Sequence, residues 1–457
     1  MNFRFFMPTK VYFGASCVLQ SPEEFSRWGK RAFLVTGRSS ARISGALADV
    51  TQVLRQQGMV WEVFDRIEEN PTLAAVEAGG KAAKDFSPDV VIAIGGGSPL
   101  DAAKAIAVLA VNDITARQLY DSGFPVPPLP IVAIPITAGT GSEVTPYSIL
   151  TDDERQTKRS FSDPAVFPRT AFLDARYTQT QPRQLTVNAA VDALSHAIEG
   201  YMSRRATPAT DYMALEAIRA FGAAKQALIV GELSLTDREA LLYCSLLGGM
   251  VIAQTATTAV HALGYSLTYF RNIPHGQANG LLLGEYLRFN ETAVPQKISD
   301  ILAGLGLEAI EQFQELMAVL LPSSETYSEQ EIREFAAIAG RAPNTANTAR
   351  QPQPEELQQI LRKSLRVVSR YSVPFTPLEA RIAAETPELI SSLAALREAM
   401  GADDFETYIN TLASLRKVDE QLLIVTRRAM NGSIIIGRFL PMLKECFGVR
   451  YVQVVNQ

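Results

Sequence analysis

The chain has 457 residues, too many for one compact core; at about 100 to 200 residues per domain, two or three domains are expected. With 43 basic against 48 acidic side chains the net charge is -5, and no dense Lys/Arg run stands out, which argues against a surface that tracks nucleic-acid phosphates. Three widely spaced cysteines, Cys17, Cys244 and Cys446, suit a reducing compartment better than a disulfide framework; without a signal peptide or an apolar run of about 18 residues, a cytoplasmic protein with no membrane contact is expected.

Along the first 175 residues short apolar runs alternate with longer helical patterns. Ala32 to Thr36, Val60 to Phe64 and Val90 to Ile94 read as strands, and Thr72 to Asp85 and Pro99 to Ala110 read as helices. A strand that is apolar throughout, as Val-Val-Ile-Ala-Ile is, fits a parallel sheet covered on both faces. That strand runs into Gly95-Gly96-Gly97-Ser98-Pro99-Leu100-Asp101 and a new helical pattern. Glycines let a ligand approach the backbone, and a helix amino terminus offers free N–H groups and positive potential to a pyrophosphate, although many βα turns use glycine for geometry alone. A second polar loop, from Thr137 through Gly139, Thr140, Gly141 and Ser142 to Thr145, follows the strand Ile131 to Ile134. Its hydroxyls suit phosphate or ribose, or an ordinary Ser/Thr-stabilised turn. From about Pro182 to Tyr371 the pattern becomes helical.

The only three histidines of the chain, His196, His261 and His275, fall in this helical part, and Asp192 stands four residues before His196. Residues four apart share a helical face, so one carboxylate and one imidazole point the same way. His261 and His275 would be about 21 Å apart on one straight helix, too far to share a ligand. Pro274 and Gly276 favour a helix end and a turn there, which would let both imidazoles converge on the Asp-His pair. A lone histidine in an apolar helix is usually a hydrogen-bonded core residue. Three of them with one carboxylate suit Fe(II) or Zn(II) and disfavour Mg(II) or Ca(II), which prefer oxygen shells.

Four motifs then occur in order: Gly-Gly-Gly-Ser-Pro-Leu-Asp at 95 to 101, Thr-Ala-Gly-Thr-Gly-Ser-Glu-Val-Thr at 137 to 145, Asp-Ala-Leu-Ser-His-Ala-Ile-Glu at 192 to 199 and Pro-His-Gly at 274 to 276. Through them the chain closely resembles the iron-containing (group III) alcohol dehydrogenase family over roughly residues 1 to 371. The resemblance implies metal ligands at Asp192, His196, His261 and His275, and pyrophosphate contacts at Gly96, Gly97 and Ser98, with Asp101 of the same motif also among the cofactor-binding residues. It implies that Thr137, Thr140, Thr145, Asn70 and Lys158 line the rest of the cofactor cleft. The expected chemistry is hydride transfer between NAD(P)(H) and a small alcohol, aldehyde or ketone, with Fe(II), or alternatively Zn(II), in a homo-oligomeric enzyme. A dehydroquinate-synthase-like lyase is the alternative within the same superfamily, though its ligand set differs.

Two positions depart from the family pattern. Many members carry a further histidine four residues after the third metal ligand, where this chain has Tyr265; a tyrosine, with a pKa of about 10, either relays a proton less readily or simply packs beside the nicotinamide. After the first clear strand, NAD-using relatives place an Asp on the adenosine ribose, whereas this chain reads Gly37-Arg38-Ser39-Ser40. Removing the carboxylate relieves repulsion against a 2′-phosphate and Arg38 offers it a donor, so NADP(H) is expected in preference to NAD(H).

The expected architecture is α/β. A Rossmann-like parallel-sheet domain spans 1–181, an all-helical metal-binding domain 182–371, a linker with Pro374, Pro377 and Pro387 spans 372–387, and a small α+β module 388–457. In that module Glu388 to Met400, Asp403 to Leu412 and Ser433 to Cys446 read as helices, and Gln421 to Val425 and Arg450 to Val455 as strands. It bears a weak similarity to the amino-terminal interaction domain of bacterial replication initiators. Without a strong basic face there, protein contact is expected rather than nucleic acid, and a dehydrogenase-like body acting as scaffold for this tail is the competing function.

Overall fold

The structure, a computed structural model, describes residues 2–121, 123–152, 154, 157–368, 377–426 and 429–456. The chain divides into two compact units, one of Met1–Asp152, Lys158–Leu267 and Ile273–Val367, the other of Asp153–Thr157, Thr268–Asn272 and Val368–Gln457.

The first unit opens with strands β1 (Lys10–Phe13), β2 (Arg31–Thr36), β3 (Val60–Phe64), β4 (Val90–Gly95), β5 (Ile131–Pro135), β6 (Tyr147–Asp152), β7 (Thr157–Ser162) and β8 (Thr170–Leu173). Six of them form one parallel sheet in the order β1-β8-β5-β4-β2-β3, while β6 and β7 make a separate pair. The alternation along each central strand decides what covers the sheet. Phe33, Val35, Val91 and Ala93 enter a core with helix Gly97–Leu109, whereas Ala32, Leu34, Val90, Ile92 and Ile94 enter a core with Val50, Val53 and Leu54 on the opposite face. Both faces are buried, which is why these strands carry no polar alternation. β1, β8 and the β6/β7 pair were missed from sequence; β1 and β8 are only four residues each, too short to show a period.

Strand order reverses beside β2: β3 lies on one side of it and β4, the next strand in sequence, on the other. The register pairs Thr36 with Ile94, so the turn after β2 and the glycine loop after β4 emerge side by side at the carboxyl edge of the sheet. In open parallel sheets that crevice is where ligands bind.

Beyond β8 come the helices Arg183–Met202, Pro208–Val230, Leu235–Thr255, Ala259–Arg271 and His275–Asn290. Their starts are written locally: Thr207 and Ser234 each close a capping box, with Pro208 in the first turn of its helix. Helix Arg183–Met202 is buried without interruption from Ala190 to Met202, packed against Pro208–Val230, Leu235–Thr255 and His275–Asn290. It is thus the central element of the helical array, and polar residues on it face protein rather than water. The stretch to residue 368 is not wholly helical, since β9 (Thr326–Ser328) and β10 (Arg366–Val368) pair as a two-stranded sheet. Among the described residues no single helix is long and apolar enough to cross a membrane.

In the second unit β11 (Ser414–Val418) and β12 (Gln421–Thr426) form an antiparallel hairpin through Asp419, whose φ is 49°, and β13 (Tyr451–Asn456) runs parallel to β12. Helices Leu378–Glu385 and Ile390–Met400 precede the hairpin, and a helical segment from Ala429 to Phe447 joins β12 to β13. Leu393, Leu396, Phe405, Leu422, Ile424, Ile435, Leu443 and Phe447 are buried. Two expectations change here. Half of the expected linker 372–387 is helix Leu378–Glu385, with Leu378 and Ile382 buried; Tyr371 and Pro374 lie outside the described residues. The expected helix Ser433 to Cys446 is interrupted by a π turn at Ile435–Phe439, which ends two residues before Pro441, whose ring nitrogen cannot donate to the preceding turn.

Candidate metal and cofactor site

Asp192 and His196 stand one turn apart on Arg183–Met202, each 4 % exposed. His261 lies in the first turn of Ala259–Arg271 and His275 is the first residue of His275–Asn290, so the chain does turn between them. The turn is made by Asn272, with a φ of 56°, and by Pro274 at the N-cap. Gly276 plays a different part from the one expected. It sits inside the second helix, where a Cβ would come 1.8 Å from the Asn188 carbonyl oxygen and 3.1 Å from the Asp192 Cβ, so only glycine lets His275–Asn290 approach Arg183–Met202 this closely.

Three donor residues gather, and His196 stands beside two of them. His196 Nε2 lies 3.1 Å from His261 Nε2, and Asp192 Oδ1 is 3.9 Å from His196 Nε2, 3.9 Å from His261 Nε2 and 3.8 Å from His275 Nε2. Asp192, His261 and His275 offer ligand atoms that all lie within 4.8 Å of one another, a group that His196 joins only through its closeness to His261 and Asp192. A tetrahedron with ligand bonds of about 2.1 Å has edges of about 3.4 Å, close to the separations from Asp192 Oδ1. Burial lowers the pKa of His196, and it lowers that of His275 to about 3, which leaves both imidazoles neutral with lone pairs to offer. Burial opposes ionisation of Asp192, but His196, His275, His261 and a hydrogen bond from Asn279 outweigh it and hold its pKa below the usual carboxylate value. At His261 burial opposes protonation, but Glu199 and Asp192 outweigh it and raise its pKa. Three imidazoles and a carboxylate, mostly buried with His275 partly exposed, are a donor set that suits a divalent transition metal.

Two side chains here escaped the sequence reading. Asn279 brings its amide Nδ2 within 3.0 Å of Asp192 Oδ1, 3.2 Å of His261 Nε2 and 3.3 Å of His275 Nε2. Glu199, with no exposed surface, accepts from His261 Nδ1. Each had a signal: Asn279 is four residues after His275 and Glu199 three after His196, spacings that share a helical face. Tyr265 stacks on His275 at 5.5 Å and 15° and meets the His261 ring edge-on at 6.2 Å. Burial, with Asp192 and Glu199 nearby, pushes its hydroxyl pKa well above the ordinary value, which keeps the hydroxyl protonated near neutral pH.

The glycine loop sits where the strand order reverses. Gly96 caps helix Gly97–Leu109, and Cβ atoms at Gly96 and Gly97 would lie 3.1 Å from Thr137 Cγ2 and 2.6 Å from Thr140 Cγ2, so the two polar loops touch. Asn70 N donates to Ser98 Oγ at 3.2 Å, and Lys158 Nζ donates to Asn70 Oδ1 at 2.6 Å, which gathers these three into one cluster. Burial lowers the Lys158 pKa to about 8 against the pull of Glu69, Asp192 and Asp101. Asp101 and Thr145 are bonded within the protein as well. Asp101 accepts from Ser142 Oγ at 2.5 Å and from Ile149 N at 3.0 Å, while the fully buried Lys104 reaches Ser142 Oγ at 2.7 Å and Thr145 Oγ1 at 3.3 Å. These bonds tie the second loop to the helix. The loop also abuts the donor cluster's helix, since a Cβ on Gly139 would lie 2.9 Å from the Ala189 carbonyl oxygen, one turn before Asp192.

The predicted adenosine-end residues lie elsewhere on the sheet edge. Gly37 follows β2, Ser39 caps the short helix Ser40–Ile43, and Arg38 Nη2 is 2.5 Å from Glu68 Oε1, both side chains being largely exposed. No other described partner fixes Arg38.

Residues 8–175 match the family model for iron-containing alcohol dehydrogenase, and residues 186–365 match the carboxy-terminal model of the Fe-containing alcohol dehydrogenase family. The chain belongs to the iron-containing alcohol dehydrogenase family. Lactaldehyde reductase of Escherichia coli (strain K12) is 34% identical over 309 residues, 67% of this chain and 80% of that protein. The NADPH-dependent butanol dehydrogenase of Clostridium saccharobutylicum is 30% identical over 308 residues, 66% of this chain and 78% of that one. A crystal structure of an iron-containing alcohol dehydrogenase from Thermotoga maritima superposes with a TM-score of 0.74 at 38% identity, covering 80% of this chain and 99% of that one. The chain is accordingly an NAD(P)-dependent alcohol and aldehyde oxidoreductase, and the lyase reading gives way to it. A metal and a nicotinamide cofactor come with the family. The family matches end at residue 365, so the second unit's sheet lies beyond them.

Proposed function

We propose that Asp192, His196, His261 and His275 hold one Fe(II) ion, with Zn(II) as the second choice, and that the chain uses NADP(H) in preference to NAD(H) to interconvert short-chain alcohols and aldehydes. The gathering of Asp192, His261 and His275, with His196 beside two of them, in a mostly buried position supports the first part above all. A cation bound there supplies a Lewis acid for the oxygen of an alcohol or carbonyl group. The chain's own residues do the rest. Gly96, Gly97 and Ser98 present helix-terminal N–H groups to the pyrophosphate, Thr137 and Thr140 wall the loop, and Asn70 with Lys158 orients the nicotinamide half of the cofactor. Tyr265 packs the His275 ring and shapes the pocket floor rather than abstracting a proton.

The cofactor preference rests on Gly37 in the place of a carboxylate and on Arg38 beside it, an arm whose present partner, Glu68, is exposed and easily exchanged for a phosphate. The names of the two relatives place their substrates among three- and four-carbon aldehydes and alcohols, and that size class is taken for this chain. Following NADPH and NADH absorbance with lactaldehyde, butanal and their alcohols, on protein loaded with Fe(II) or Zn(II), tests all three parts. Turnover that is independent of added metal, or a clear NADH advantage, would count against the corresponding part.

Residues 1–181 are read as the cofactor-binding part, 182–371 as the metal-binding part, and 388–457 as a module that adds a protein contact and no catalytic group. A homo-oligomer in a reducing cytoplasm completes the proposal, consistent with three free thiols. Light scattering of the full chain and of one ending at Tyr371 checks the oligomer and any change the tail makes.

A further inference from the structure

Glu199 is a fully buried charge beside the donor cluster with partners for both oxygens, and it belongs to none of the roles above. It has no exposed surface, and a carboxylate so placed is expensive unless every lone pair has a partner. Its two oxygens are used differently. Oε2 accepts from Thr258 N at 2.7 Å and Thr258 Oγ1 at 2.5 Å, with His261 N at 3.4 Å, while Oε1 accepts from His261 Nδ1. Thr258 Oγ1 is in turn 2.9 Å from the hydroxyl of the buried Tyr286. A hydrogen bond from Nδ1 to an ionised carboxylate requires the proton on Nδ1, so in the neutral ring Nε2 keeps its lone pair; the amide NH2 of Asn279, which can only donate, lies 3.2 Å from that atom, which also faces His196 Nε2 and Asp192 Oδ1.

We infer that Glu199 is a positioning residue that locks His261 in the Nδ1–H tautomer and aims its Nε2 lone pair at the proposed cation. The inference rests on the reading that the four donors hold a metal. It concerns a residue that touches neither the cation nor substrate, and it follows from the asymmetry of the two oxygens. Thr258 N–H is a backbone donor that cannot reverse. A glutamine at 199 must therefore turn its carbonyl toward Thr258 and its NH2 toward His261 Nδ1, which drives the imidazole to the Nε2–H tautomer with no lone pair for the cation. Glu199→Gln is nearly isosteric, yet it inverts the hydrogen-bond polarity at one ring.

The test uses the full-length protein, with Zn(II) as a diamagnetic probe competed against a chromophoric chelator, and 15N-histidine NMR to read the tautomer of each of the three imidazoles. Wild type should bind one Zn(II), and its spectrum before Zn(II) addition should show His261 protonated at Nδ1. Glu199→Gln should weaken Zn(II) roughly 10- to 100-fold, as loss of an outer-shell partner does, and move the His261 proton to Nε2. Thr258→Ala, which keeps the backbone donor and the Glu199–His261 bond, should leave the tautomer unchanged. Wild-type His261 protonated at Nε2 overturns the inference even if Glu199→Gln does not fold. Equal Zn(II) affinity in folded wild type and Glu199→Gln also overturns it, whereas failure of wild type to bind Zn(II) or Fe(II) overturns the metal reading itself.

Discussion

The donor cluster around Asp192 and the turn at Gly37 to Ser40 serve the same proposed reaction by opposite physical means. In the cluster the groups are mostly buried and constrained from several sides: Asp192 and His261 are 4 % and 2 % exposed, with only the His275 side chain partly exposed, Glu199 fixes one ring, Tyr265 stacks on another, and Gly276 permits the helix approach that brings His275 in. At the turn the decisive side chain, Arg38, is exposed and held by one ion pair with an equally exposed glutamate. A desolvated donor left without its partner costs the full penalty of an unsatisfied buried group, whereas an exposed ion pair is worth about 0 to 1 kcal/mol. Substitutions in the first region should therefore act as switches, and those in the second as adjustments of selectivity.

Replacing a donor tests the switch most severely. His275→Ala should remove metal and turnover together, by more than the roughly 100-fold upper range for outer-shell partners; metal analysis and steady-state assays on one preparation check it. Next in size is Gly276→Ala, whose methyl group would press on the Asn188 carbonyl at 1.8 Å. It should cost about 1–3 kcal/mol in urea unfolding and lower metal occupancy, because helix His275–Asn290 must retreat. At the turn, Gly37→Asp should reduce kcat/KM for NADPH about 10- to 100-fold through repulsion of the 2′-phosphate and spare NADH. The added Cβ meets only Ser40 Oγ at 3.3 Å and the Ile67 carbonyl at 3.4 Å, so a change in both cofactors alike would mean that the turn had simply been damaged. Glu68→Gln should release Arg38 and improve KM for NADPH by less than about fivefold, the limit for an exposed pair. Ending the chain at Tyr371 should change kcat/KM least of all, since every proposed ligand and cofactor contact precedes residue 276; loss of both solubility and activity would instead mark the tail as part of one core.

What was legible in the sequence follows the same division. Continuous apolar strands such as Val90 to Ile94 announced a sheet buried on both faces, and the 14-residue gap between His261 and His275 demanded the turn that Asn272 and Pro274 make. Spacing alone could not show that Gly276 is a packing glycine, because the atom it must avoid, the Asn188 carbonyl, is 88 positions away in the chain. Asp101 and Thr145 stood in phosphate-loop motifs and read as cofactor contacts; the sequence did not show that they also bond Ser142, Ile149 and Lys104, because those bonds exist only after β6 folds back over helix Gly97–Leu109. Glu199 and Asn279 were hidden for a related reason: each is an ordinary helical polar residue until the tertiary packing turns it toward an imidazole. In the tail, Pro441 gave the local signal for the π turn at Ile435–Phe439, but helix Leu378–Glu385 was masked by the prolines that flank it.

The central claim is that three imidazoles and one carboxylate from this chain bind one transition-metal ion. X-ray absorption at the iron or zinc edge of the loaded full-length protein tests it most directly, because it counts and types the ligand atoms without reference to activity. The expected result is one ion per chain with three histidine nitrogens and one carboxylate oxygen at about 2.0–2.2 Å. A shell of oxygen atoms alone, or the same spectrum in His275→Ala, would contradict it.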